Sequence, residues 1–263
     1  MNIGFFDSGL GGLLILKAVA KALPHYDYVY YGDTKNLPYG DKSEEEIYEL
    51  TRTAMAELFK LDCLLVIVAC NTASAETLRR IQDTYLEHDY PDRRILGVII
   101  PSVEEVIEKR YPRTVLLATK RTVESRKYEL ELAKLSPEAV ELVAVATPEL
   151  VPMIEAHKID EAVELAAKVI EVEAREGDAV LLGCTHYTLL KDALRKSFNG
   201  SLSFISQDEV IPKKLTDYLT RHPEITSRLS STGKRRIVLT EHRPDYDRLT
   251  AEFLGGAYLP DEG

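Results

Sequence analysis

Short uncharged apolar runs alternate along this chain with longer stretches whose apolar residues recur at helical spacing. IGFFDSG from Ile3, DYVYYGD ending at Asp33, LLVIVA from Leu64 and the run from Ile95 to Ile100 are of the first kind. Lacking polar alternation, they predict strands buried on both faces, as in a parallel sheet covered by helices. LLILKAVAKAL, Glu44 to Lys60 and AETLRRIQDTYL are of the second kind and predict the covering helices. Ser43, followed by three glutamates, reads as the N-cap of the Glu44 helix. Pro101-Ser102 is expected to end the Ile95 strand before the helical VEEVIEKR, and Pro148 and Pro152 to hold TPELVPMIEAHK as a loop.

The pattern then repeats. VLLATKRT from Val115 follows IGFFDSG by 112 residues, and ELVAVAT ending at Thr147 follows DYVYYGD by 114. AVLLGCTHY carries Cys184, 114 residues after Cys70, and Phe204-Ile205 suggests one more short strand. An internal duplication at this period predicts an α/β fold of two similar lobes, each a mostly parallel sheet flanked by helices. The tail, with helical IPKKLTDYLTRHPEI, a strand from Ile237 and helical PDYDRLTAEFLG, has no counterpart and is expected to return to the first lobe. Residues 1–97 plus 208–263 would form that lobe and 98–207 the second.

The most reactive side chains stand where strands end. Cys70 closes the apolar run from Leu64, and Asn71, Thr72 and Ser74 are N-cap residue types, so a helix is expected to begin beside the thiol. Ligands bind at that edge of open α/β sheets, where helix N-termini favour anions. Cys184 repeats the arrangement and is followed by Thr185 and His186. Asp7, in the glycine-rich turn Asp7-Ser8-Gly9-Leu10-Gly11-Gly12, would lie at the same edge as Cys70, where a carboxylate can accept and return protons. Tyr39-Gly40 lies in a loop beside that edge; Thr119, Thr122 and Ser125 are hydroxyls for capping or for holding a carboxylate; Glu155 ends the segment matching the Tyr39 loop. Cys63, at the far end of its strand, reads as a core residue.

Composition narrows the field. A net charge of −10 and a pI near 5.2 argue against nucleic acid or an anionic membrane as partner. No apolar run reaches the roughly 18 to 20 residues of a membrane helix. The start, Met1-Asn2-Ile3, enters a strand at once and predicts no signal peptide, and three cysteines without close spacing suit free thiols in the cytoplasm.

Among thiol chemistries, a zinc site wants three or four ligands, a Cys-His hydrolase leaves the second cysteine unexplained, and a redox pair favours adjacent cysteines. Two like acid/base groups on two like lobes suit inversion of a stereocentre, one thiolate taking the Cα proton while the other thiol delivers one to the opposite face. No pyridoxal-type lysine motif, dinucleotide loop or phosphate loop is evident, so the expectation is no cofactor and no metal. A two-lobed sensor that binds an acidic ligand without turning it over is the alternative from another class.

FFDSGLGGL, YYGD with LPYG, ACNTASA and GCTHY, in this order and spacing, resemble the glutamate racemases of the aspartate/glutamate racemase superfamily over essentially the whole chain. The resemblance implies two pseudo-symmetric α/β lobes with the active site between them, and cofactor-independent interconversion of L- and D-glutamate, supplying D-glutamate for peptidoglycan. It makes Cys70 and Cys184 the acid/base pair, acting on the D- and L-enantiomers respectively, with Asp7 assisting Cys70, and His186 with Glu155 assisting Cys184. Ser8, Tyr39, Gly40, Asn71, Thr72, Thr119, Thr122, Thr185 and His186 would hold the substrate together with Asp7. Relatives acting on aspartate typically carry an acidic residue where this chain has His186, which favours glutamate over aspartate. Thr188 replaces the family's usual proline, and the segment from Glu155 to Cys184 is a few residues short. The expected partners are glutamate and a second copy of the chain in a homodimer. Some relatives bind a cell-wall precursor as activator through an N-terminal extension, which is not expected here.

Overall fold

In a computed structural model, residues 1–136 and 140–254 are described; the part of the predicted first lobe beyond Leu254 lies outside them. Among the described residues nine strands form two sheets. The first contains β1 (Asn2–Asp7), β2 (Tyr28–Gly32), β3 (Cys63–Val68), β4 (Arg94–Gly97) and β9 (Arg235–Leu239) in the order β4-β3-β1-β2-β9. The second contains β5 (Arg113–Ala118), β6 (Glu141–Ala146), β7 (Ala179–Gly183) and β8 (Ser203–Ser206) in the order β6-β5-β7-β8. Every pairing is parallel. Read from its other edge, the second sheet runs β8-β7-β5-β6, the order of β4-β3-β1-β2, so the duplication extends to topology; β9 adds a fifth strand only to the first.

Alternate residues of each strand enter different cores, as a period of two requires. Phe5, Tyr30 and Ile67 pack on one face of the first sheet, and Phe6, Val29 and Val66 on the other. Val115, Leu117, Val180 and Leu182 share one core of the second sheet, and Leu116, Ala118 and Leu181 the other. The helix Gln207–Arg221 joins the lobes. Its Ile211, Leu215 and Leu219 belong to a first-sheet core, while its Val210 packs with Ile99 and Val103 beside the second sheet.

Two expectations need correction. The strand expected from Ile95 to Ile100 ends at Gly97, and Ile99–Glu108 is a helix that includes Pro101. TPELVPMIEAHK is likewise not all loop: Leu150–Glu155 is a helix that includes Pro152. In both, the proline is the third residue of its helix, where a backbone N–H has no intrahelical acceptor to lose. Elsewhere the pattern holds: Ser43 caps the helix Glu44–Lys60 in a reciprocal capping box with Glu46. Cys63 is fully buried.

Near the start of the bridging helix, Glu209 pairs with Arg195 at 2.8 Å and Lys191 at 3.0 Å. Hydrogen bonds from Arg195, then Lys191, hold its carboxyl at about 2 against partial burial, below the ordinary 4.5. Because the folded-state value is depressed, the pairing stabilises the fold fully above pH 4.5 and is lost as the pH falls toward 2. Glu209→Gln should therefore lower the urea midpoint at pH 7 and leave it unchanged near pH 2.

Candidate active site between the sheets

Carboxyl ends of strands from both sheets meet around the turn that follows β1. Cys70 stands two residues beyond β3 as the N-cap of the helix Asn71–Glu76, its Sγ accepting the Ala73 N–H at 3.4 Å. The same Sγ donates to Ser8 Oγ at 3.4 Å. Cys184 follows β7 directly and opens the 3-10 helix Thr185–Leu190, so the second thiol is followed by a tighter turn than the first. Its Sγ lies 3.9 Å from His186 Nδ1. The sulfurs are buried, at 5% exposure for Cys70 and 7% for Cys184.

The turn touches both motifs. Asp7 Oδ2 accepts the Gly12 N–H at 2.7 Å and, from the other lobe, the Thr185 hydroxyl at 3.4 Å. Gly11 comes so close to the second motif that a Cβ there would lie 2.4 Å from Thr185 Oγ1 and 2.8 Å from His186 Nδ1. Only a residue without a side chain permits this approach. The Tyr30 hydroxyl donates to the Gly9 carbonyl at 2.8 Å and steadies the turn from below.

Each thiol has its own ionisable neighbours. Burial, then the Asp7 carboxylate, pushes the Cys70 thiol up to about 12. Burial also raises Asp7, against the opposing pull of His186. His186 Nε2 meets Glu155 Oε1 at 3.2 Å, and Glu155 is 39% exposed at the end of the helix Leu150–Glu155. Burial disfavours the imidazolium, but hydrogen bonds to Cys184 and Glu155 outweigh it and hold His186 well above its usual range.

The remaining expected residues fall into three groups. Thr72, Thr119 and Thr122 form a hydroxyl cluster between the lobes, with Thr72 to Thr119 at 3.0 Å and Thr119 to Thr122 at 2.9 Å. Tyr39 is buried beside Phe6 and Cys70 with its hydroxyl donated to Asp33 at 2.7 Å, and Gly40 next to it faces open space. The Asn71 side chain turns away into a buried contact with Gln207 and Tyr128. Neither of those two residues stood out in the sequence, where a glutamine and a tyrosine on helices carry no pattern. Ser125 donates to the Thr122 carbonyl at 2.7 Å. Among the described residues no group of three or more His, Cys, Asp or Glu side chains could hold a metal, and no helix is long and apolar enough to cross a membrane.

Two parallel sheets, each with a buried cysteine just beyond the carboxyl end of a strand, define a two-lobed α/β protein. The profile of the Asp/Glu/Hydantoin racemase family matches residues 14–211. A glutamate racemase of Dinoroseobacter shibae is 39% identical over 239 residues, 86% of each chain. The crystal structure of a glutamate racemase isoform of Bacillus anthracis is 27% identical, covers 98% of this chain and 95% of its own, and superimposes with a TM-score of 0.85. That of the Francisella tularensis glutamate racemase, in complex with D-glutamate, is 26% identical over 97% of this chain and 93% of its own, with a TM-score of 0.81. The chain belongs to the glutamate racemases of the Asp/Glu/Hydantoin racemase family.

Gly11→Ala should keep the far-UV circular dichroism of the parent and lower racemase turnover by about 100-fold, since a displacement near 1 Å at reacting groups has that cost.

Proposed function

We propose that the protein interconverts L- and D-glutamate by a two-thiol mechanism without a cofactor. The observation that carries this reading is the placing of Cys70 and Cys184 at equivalent strand ends, with Cys70 bonded to Ser8 of the turn after β1, and Cys184 beside His186 and next to Thr185, which bonds Asp7 of the same turn. Cys70 as thiolate takes the Cα proton of D-glutamate while Cys184 as thiol protonates the opposite face; the reverse direction exchanges the roles. Burial and the Asp7 carboxylate push the Cys70 thiol up, which makes its thiolate a stronger base and also a scarcer one, so the substrate's arrival must favour the ionised form. Asp7 assists Cys70, and His186, oriented by Glu155, assists Cys184.

Negative charge builds on the α-carboxylate as the proton leaves, so fixed donors there lower the barrier most. Backbone N–H groups at Asn71-Thr72 and Thr185 are assigned that role, with Ser8, Tyr39, Gly40, Thr119 and Thr122 completing the substrate cradle. Thr72 and Thr119 bond to each other across the lobes, so a substrate seated between them must part the two sheets on entry. Exclusion of water after closure strengthens every electrostatic contact. The D-glutamate is assigned to peptidoglycan and the location to the cytoplasm. The homodimer rests on the family resemblance, and light scattering on the eluting protein tests it.

Cys70→Ala and Cys184→Ala should each abolish racemisation of L-glutamate, followed by optical rotation, with the fold intact. Near-normal turnover in either variant, or faster turnover of L-aspartate than of L-glutamate by the parent, would sink the scheme. Glu155→Gln removes one of the bonds that raise His186. The imidazolium then deprotonates at lower pH, and the alkaline limb of the kcat profile should move toward acid with kcat about tenfold lower.

A further inference from the structure

Three side chains from three separate segments meet in a closed polar cluster at Asn71, the residue after Cys70. Asn71 Nδ2 donates to Gln207 Oε1 at 2.9 Å, and Gln207 Nε2 donates back to Asn71 Oδ1 at 2.7 Å, so the two amides pair reciprocally. The Tyr128 hydroxyl donates to Asn71 Oδ1 at 2.7 Å and accepts from Gln207 Nε2 at 3.3 Å. All three residues are at most 3% exposed. Asn71 opens the helix that Cys70 caps, whereas Tyr128 lies on the helix Lys127–Leu135 and Gln207 opens the bridging helix after β8.

We propose that Gln207 and Tyr128 are positioning residues of the second lobe that set the place of Cys70 by clamping the Asn71 amide, an inference that rests on the two-thiol reading. The geometry supplies the reason. Cys70 Sγ is held from the helix side by the Ala73 N–H, so its position follows the first turn of that helix, and Asn71 anchors that turn across the lobes. A buried amide whose two partners are lost must turn to find others, and the turn would carry the thiol with it. Among the described residues Cys184 makes no hydrogen bond to the cluster and bonds instead to His186, although its charge is felt at the Tyr128 hydroxyl. Through hydrogen bonds the clamp therefore reaches Cys70 by way of Asn71, and Gln207 is the member that tests it free of Cys184.

That one-sidedness is measurable. Gln207→Ala, and Tyr128→Phe as a variant that keeps the ring packing, are compared with the parent using α-deuterated D-glutamate and α-deuterated L-glutamate. Slowed proton transfer at Cys70 makes C–D cleavage more limiting from the D-substrate, and makes protonation, which carries no substrate label, more limiting from the L-substrate. The expected result is a kcat about 10- to 100-fold lower for Gln207→Ala and several-fold lower for Tyr128→Phe, KM within about threefold, and a substrate isotope effect that rises from D and falls from L. Isotope effects that move together, or kcat within twofold of the parent, overturn the clamp. Should Gln207→Ala fail to fold, Gln207→Asn, which keeps an amide but shortens its reach, takes its place, because Tyr128→Phe also removes a hydroxyl that interacts with Cys184. Cys70→Ala serves as the control: if it turns over normally the two-thiol reading itself is wrong, and if it is dead while the isotope effects move together only the clamp is lost.

Discussion

The close approach of the β1 turn to the Thr185-His186 motif is the contact on which the site depends. Gly11 lies where any side chain would strike Thr185 Oγ1, and Asp7, four residues earlier, accepts a hydrogen bond from the same hydroxyl. Ser8, between them, touches Cys70. One short turn thus brings the ends of two independent sheets to a common point. The sheets need no side-by-side pairing for this, because each is closed by its own ladder and buried on both faces.

Burial does the electrostatic work. Withdrawing Cys70 from solvent beside a carboxylate raises its thiol. The second thiol is served differently, by an imidazole whose charge is supported by a partly exposed glutamate. The duplicated backbone is therefore furnished asymmetrically, an acid beside one sulfur and a histidine beside the other. By strand register the second-copy counterpart of Asp7 is Ala118, so the carboxylate has no equivalent in the second lobe although the strand order is kept.

Much of this was legible in the residues alone. Strands buried on both faces announce themselves by unbroken Val, Ile and Leu, and a duplication by a constant offset, so the two sheets, their helices and the reactive strand ends could be read without coordinates. Two prolines misled because a proline looks the same in the first turn of a helix as at the end of a strand; which it is depends on where the neighbouring chain packs. The sequence was silent on another point: the Asn71 amide is bonded to residues 57 and 136 positions away.

What the sequence determined by itself was local and periodic: which segments form strands or helices, that the pattern occurs twice, and which side chains stand at the carboxyl ends. Only the tertiary structure decided which of those ends face one another, that Gly11 had to lack a side chain, and that Gln207 and Tyr128 bond to Asn71, the residue after Cys70. The physical reason is range. Backbone propensity and side-chain period act over a few residues, whereas a hydrogen bond between lobes is specified by the packing of every element that separates its partners along the chain.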